Sequence, residues 1–259
     1  DEGKNALFSL ARSAIEIKQY DQAKSAFEKM LKGGGAFSPD EFARLGQMML
    51  DAGLYTEAIQ SFQRVSGATE ERILLERSLF GLGKAHYELK DYDQAIASLE
   101  ELMTKYPKSG LFYDAKFTLG GAYRVTGKLD EAYQVMTDVF KYADKPFLRA
   151  TASYELGTIQ KERKEYQAAI ASFQRVALLE DPKQVELRPV IEACIMESIY
   201  LFREMQLYQE AQESCDQYMS LFPTGAKIEE VRKLKAEAKL KAAQAPAVVP
   251  PAAGNGTKL

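Results

Sequence analysis

The residue types that carry catalysis are scarce in this 259-residue chain, which has one histidine, His86, and two cysteines, Cys194 and Cys215. A general base or nucleophile needs a neighbour that raises its reactivity. Nothing in the sequence argues for an activated Ser or Cys near His86, so no triad is expected. His86 falls on the inner side of an amphipathic segment, where a packed histidine is the expectation. The cysteines form no paired CxxC metal motif. They lie at similar levels of two neighbouring helices, which leaves open a disulfide or two buried thiols, with the thiols expected. An oxidised pair would suit an exported protein.

Two glycine-rich stretches invite phosphate chemistry. In "LGGAYRVTGK" Gly121 and Gly127 stand one residue too far apart for a phosphate loop, and Leu129 occupies the place of the magnesium-binding Ser or Thr. The stretch reads as close helix packing at Gly120 and Gly121 followed by a turn at Gly127. "KGGGAFSPDE" reads as a helix stop at Gly33–Gly35 and a new start at Ser38 or Asp40. The acidic residues are scattered without metal-ligand spacing. Neither a metal nor a cofactor is expected.

Behind these sparse groups lies an ordinary composition, 46% hydrophobic and 27% charged with a net charge of −3. It is enough for a core and argues against a general nucleic-acid binder. Residues 224–244 hold six Lys or Arg against three Glu, so the C-terminal segment is basic and the body acidic. No apolar run approaches the roughly 18 residues of a membrane span. The chain starts at Asp1 without Met, as a processed or trimmed form would.

The organising feature is a repeat. "YDQA" at Tyr20 returns as Tyr55, Tyr92, Leu129, Tyr166 and Tyr208, at steps of 35, 37, 37, 37 and 42 residues. Ten residues upstream of the middle four copies stands a Leu-Gly pair, at Leu45, Leu82, Leu119 and Leu156, weakened to Leu10-Ala11 and Ser198-Ile199 in the end copies. A fixed period of this size marks a solenoid. Each unit reads as two amphipathic helices, with Leu79, Leu82, His86 and Leu89 in one and Ala95, Leu99, Leu102 and Met103 in the other. Small residues at Gly83 and Ala95 let the backbones approach. A lone pair cannot bury its apolar face, so the copies must stack.

Leu82-Gly83, His86-Tyr87, Tyr92, Ala95, Leu99 and Pro107 resemble the tetratricopeptide repeat, over roughly residues 4–223. The resemblance implies an all-α, right-handed superhelical solenoid of about six helix pairs. Residues 1–223 would form the array, 224–244 a capping helix with Ile228, Val231 and Leu234 on its apolar line, and 245–259 an extended, mobile tail. It further implies a non-catalytic adaptor that holds a partner helix or extended peptide in a concave groove lined by the first helix of each pair.

Matching the family's inward positions gives a candidate partner surface of Phe8, Phe80, Phe117, Tyr154 and Met196, with Tyr87, Lys84 and Tyr200 beside them. Arg124, Lys161 and Lys84 would form a polar rim. The places where chaperone-binding members grip a terminal carboxylate hold Phe8, Arg12, Arg44, Arg77 and Gly81, so that clamp is not expected. A finer similarity, through Tyr106, Pro107, Ser109, Ala115, Leu119 and Gly120 with an echo in "LFPTG", is to bacterial envelope members of the outer-membrane assembly lipoprotein and Tol-Pal coordinator types. It implies a periplasmic or envelope location, the alternative being cytoplasmic. A structural subunit packing through its convex face or ends into an oligomer or multiprotein complex, and an accessory domain of a larger chain, stay open beside the adaptor.

Overall fold

The structure, a computed structural model, describes residues 2–32 and 37–244. The expected helix stop at Gly33–Gly35 and the tail 245–259 lie outside the described residues. Within them the chain is all-α, with thirteen helices in sequence. They are α1 (Glu2–Glu16), α2 (Tyr20–Lys32), α3 (Pro39–Asp51), α4 (Tyr55–Ser66), α5 (Arg72–Glu88), α6 (Tyr92–Lys105), α7 (Phe112–Val125), α8 (Leu129–Tyr142), α9 (Pro146–Glu162), α10 (Tyr166–Leu179), α11 (Arg188–Glu204), α12 (Tyr208–Leu221) and α13 (Ile228–Gln244). They divide into two compact units, residues 1–159 and 160–259. In the first, α1 packs on α2, α3 on α4, α5 on α6 and α7 on α8, and α4 and α6 also meet the helix that follows them. In the second, α10, α11, α12 and α13 pack consecutively.

Every pair is closed by the same three-residue turn, and its middle residue has positive φ: Lys18, Gly53, Lys90, Gly127, Lys164 and Gln206, with φ between 60° and 78°. The residue after it donates back into the ending helix, as in Asp91 N–H to His86 O at 2.9 Å and Lys128 N–H to Tyr123 O at 2.9 Å. This left-handed cap satisfies orphan carbonyls and reverses the chain. Glycine fills it at only two of six positions. The bond geometry and the packing of the pair therefore impose the conformation on Lys and Gln, against a local cost of about 1–2 kcal/mol each.

The Ala of each repeat text, Ala23, Ala58, Ala95, Ala132, Ala169 and Ala211, is fully buried. The small residue of the preceding helix forms a notch for a large side chain of its partner. A Cβ on Gly83 would stand 2.5 Å from Leu99 Cγ, one on Gly120 2.8 Å from Met136 Cε, and one on Gly46 2.9 Å from Phe62 Cε1. The last pair inverts the sizes, with buried Ile199 in the glycine position and buried Cys215 in that of Phe62, Leu99 and Met136. The weak Leu-Gly signal of that copy is thus a volume exchange, bulk moved from one helix to the other.

Ser38 opens α3 with a capping box: Glu41 N–H donates to Ser38 Oγ at 3.2 Å, and Ser38 N–H to Glu41 Oε2 at 2.7 Å. The "YPKS" text after α6 closes a different lock. Ser109 Oγ donates to Glu76 Oε2 at 2.8 Å, Arg72 pairs with the same Glu76, and the Arg72 guanidinium lies 5.8 Å from the Tyr106 ring centroid. In "LFPTG" after α12, Arg188 lies 5.2 Å from the Phe222 ring, and Tyr218 donates to Glu192. The text that suggested an envelope protein ties the end of one pair to the start of its own first helix.

Candidate functional site

In the first unit the first helices of three successive pairs, α5, α7 and the opening turns of α9, frame a cleft of about 350 Å³. Its apolar surface comes from Phe80 and Tyr87 on α5, Phe117 on α7, and Phe147 and Leu148 on α9, with Met136 of α8 at the base. Phe80 and Tyr87 rest on the core cluster built by Leu79, Leu99 and Leu119, and Phe117 on that of Met136 and Leu156. Helical spacing explains the alignment. Phe80, Lys84 and Tyr87 recur at three- and four-residue steps on one face, as do Phe117, Gly121 and Arg124. Gly121 keeps the cleft open, since a Cβ there would stand 3.2 Å from Tyr87 Oη.

The charges lining the cleft are mostly matched within it. Lys145 Nζ donates to Asp114 Oδ1 at 2.9 Å and Oδ2 at 2.7 Å, and Arg124 Nε to Glu155 Oε2 at 3.0 Å. Among the described residues Lys84 and Glu88 have no oppositely charged side chain within ion-pair distance. Lys84 is half-buried, its Nζ 5.7 Å from the Phe80 ring centroid, and Glu88 is exposed. Burial pushes the Tyr87 phenol above its ordinary value, and the Glu155 carboxylate adds to the shift. The hydroxyl therefore stays protonated, a donor facing the cleft.

The sequence-matched residues divide three ways. Phe80, Lys84, Tyr87, Phe117 and Arg124 line the cleft together. Phe8 and Tyr154 belong to the same unit without lining it: Phe8 packs on the N-terminal core with the Arg44 guanidinium 5.8 Å from its ring, and Tyr154 is half-buried on α9. In the second unit Lys161 Nζ donates to Glu197 Oε2 at 2.7 Å and Tyr200 Oη to Glu230 Oε1 at 2.6 Å. Met196 requires a correction. Only 4% of it is exposed, because α11 is packed by α10 and α12 and carries Ile191, Cys194, Ile195 and Ile199 inward around it. It belongs to the core of the second unit.

The expected polar rim is in part ion-paired. Arg124 and Lys161 are ion-paired, and Arg203 Nη2 donates to Glu237 Oε2 on α13 at 2.6 Å. Each cation reaches an acid of the next first-type helix, and α13 supplies the last acid. Sequence matching missed Phe147, Leu148, Asp114, Lys145 and Glu155. Phe147, 46% exposed at the mouth, precedes the aligned positions of its helix. An aromatic in the first turn after Pro146 was the available signal.

Other reactive groups are accounted for. His86 is 15% exposed, with Nδ1 3.2 Å from Asp91 Oδ2 but not aligned as a hydrogen bond. Cys194 and Cys215 are free and buried, and burial raises both thiols, Cys215 to about 11. Such thiols are poor nucleophiles at neutral pH. Among the described residues no group of three His, Cys, Asp or Glu could hold a metal ion, and no helix is long and apolar enough to cross a membrane.

Comparison with known proteins agrees with this architecture. Two tetratricopeptide-repeat family models match, over residues 8–71 and 77–109, so those segments carry tetratricopeptide repeats. No curated protein matches the chain significantly. Among solved structures, PilW, described as a widely conserved type IV pilus biogenesis factor, is similar with TM-score 0.59 and 15% identity, covering 90% of this chain and 99% of PilW. PilF of Pseudomonas aeruginosa gives TM-score 0.54 and 18% identity over 90% of this chain and 98% of PilF. The apo form of RapI gives 0.65 and 12% over 93% and 72%. At such identities the likeness concerns the fold. Repeats of this type generally mediate protein–protein interaction.

Proposed function

We propose that this chain is a non-catalytic interaction scaffold that holds a helix or extended segment of a protein partner in the cleft between α5, α7 and α9. The observation that carries the reading is a preformed concavity with three half-buried aromatic rings, Phe80, Tyr87 and Phe117, and a fourth, Phe147, at its mouth. Aromatic side chains in a partly desolvated pocket supply large contact area with few rotors to freeze, and so dominate binding energy. The setting we favour is a bacterial envelope complex. The support is the fold likeness to PilW and PilF, one of them described as a pilus biogenesis factor. The "YPKS" text gives less support than its resemblance implied, because a local structural lock accounts for it.

A second reading, an assembly subunit, is favoured by one observation. Leu178, Leu179 and Val185, at the end of α10 and in the long connection after it, are 73%, 74% and 82% exposed. Site-specific photo-crosslinking separates the two. A benzophenone side chain at position 117 or 147 is expected to capture a polypeptide from cell extract, and one at 178 or 185 is not. Phe117→Ala should weaken capture by about 2 kcal/mol, roughly thirtyfold, with helical content unchanged. Adducts confined to positions 178 and 185 would overturn the cleft reading in favour of assembly.

A further inference from the structure

The cleft's charges say what its occupant must carry. Six ionised side chains line it, and four are matched in pairs, Asp114 with Lys145 and Arg124 with Glu155. Of the remaining two, which both line the cleft on α5, Glu88 is exposed and Lys84 is the less accessible. Half-buried, with its ammonium held over the Phe80 face, it is lined up along α5 with the apolar floor. Any segment that covers Phe80 also strips solvent from Lys84, and a cation desolvated without a counter-charge opposes binding. The Tyr87 hydroxyl stands three residues further along the same helix, within one turn of Lys84. It is a donor with no hydrogen-bond partner among the described residues.

We propose that the occupant is a polypeptide segment bearing a bulky apolar side chain for the floor of Phe80, Phe117 and Phe147 and, within about one helical turn of it, an acidic side chain for Lys84 and Tyr87. This rests on the cleft being the binding surface. The carboxylate accepts from Lys84 Nζ and Tyr87 Oη, while the apolar side chain displaces water from the rings. A basic side chain in the place of that acid would set a second cation beside Lys84, which opposes binding.

Selection of a displayed library of random twelve-residue peptides on the full chain tests this. The same selection is run on Lys84→Glu and on Phe117→Ala, with circular dichroism confirming that each variant is folded. The wild-type chain is expected to enrich peptides with an acid within four positions of Phe, Leu, Ile or Met. For one synthetic peptide so selected, replacing its acid by Lys should weaken binding about tenfold, and Lys84→Glu should reverse that order of preference. Phe117→Ala should lose the enrichment whatever the charge. If the wild type enriches apolar peptides with no acid preference, or Lys84→Glu leaves the charge preference unaltered, this inference falls and the cleft remains a binding surface. If Phe117→Ala enriches the same peptides as the wild type, or nothing is enriched, both fall. Sedimentation showing a dimer that Lys84→Glu dissociates would put a second copy in the cleft and likewise overturn the acidic-segment proposal.

Discussion

The two units use one helix pair to different ends. In the first unit the equivalent inner positions Ile15, Leu50 and Tyr87 are apolar, and the cleft between α5, α7 and α9 is floored with rings. In the second unit the same positions hold Lys161 and Arg203, and each is bound to a carboxylate of the next first-type helix. Arg124, at the end of the first unit's series, shares this behaviour. Of these apolar residues Ile15 and Leu50 are buried in the N-terminal core, and Tyr87 alone lines the cleft. The charged residues at this position are matched by counter-charges within the array. A repeat can therefore vary its inner face while its hinge and its buried Ala stay the same.

The sharpest test of the shared scaffold is its volume exchange. Ile199→Ala in the second unit should cost about 2–4 kcal/mol, because a buried side chain leaves a cavity beside an already small Cys215. Adding Cys215→Leu should recover a measurable part of that loss in denaturant titration, the signature of two coupled positions. The mirror change in the first unit, Gly83→Ala, drives a Cβ into Leu99, which has no exposed surface to move into. It should cost about 1–3 kcal/mol. If Gly83→Ala is neutral, the notch is looser than its 2.5 Å approach implies.

Electrostatics separates the units next. Glu237→Gln removes the partner of Arg203, and should cost about 0.5–1 kcal/mol at low salt, fading as salt screens the half-exposed pair. Titration adds a signed expectation. The Tyr200 and Tyr218 phenols are pushed up to about 12, mainly by burial and then by bonds to Glu230 and Glu192. A raised pKa in the folded state gives a contribution that is whole below the unfolded value near 10 and is lost as pH climbs towards 12. Unfolding midpoints should therefore fall across that alkaline window, and Tyr200→Phe should flatten the fall. The smallest effect concerns the hinges. Lys90→Gly, relieving φ of 63°, should raise stability by about 0.5–1 kcal/mol, whereas Gly127→Lys should lower it by a similar amount.

Much of this scaffold was legible in the sequence. The recurring Ala and the Tyr or Leu three residues before it located each second helix, because a period of 35 to 42 residues carries both packing and turn. The cleft was legible in part. Phe80, Tyr87 and Phe117 follow from helical spacing, but Phe147 lies before the aligned positions and was reached only through packing. Met196 shows the opposite limit: an apolar residue on a helix covered on several sides has the same periodicity as one facing a groove. The pairing of Arg124 with Glu155 and of Lys161 with Glu197 was illegible for another reason. A repeat period says which helices adjoin, not which long side chains meet across them.

The most direct measurement is amide hydrogen exchange of the full chain with and without a peptide selected on it. Binding in the cleft predicts slowed exchange within residues 80–88, 114–124 and 147–155 and none within α11. Slowing confined to residues 178–187, with α5 and α7 unaffected, would contradict the account.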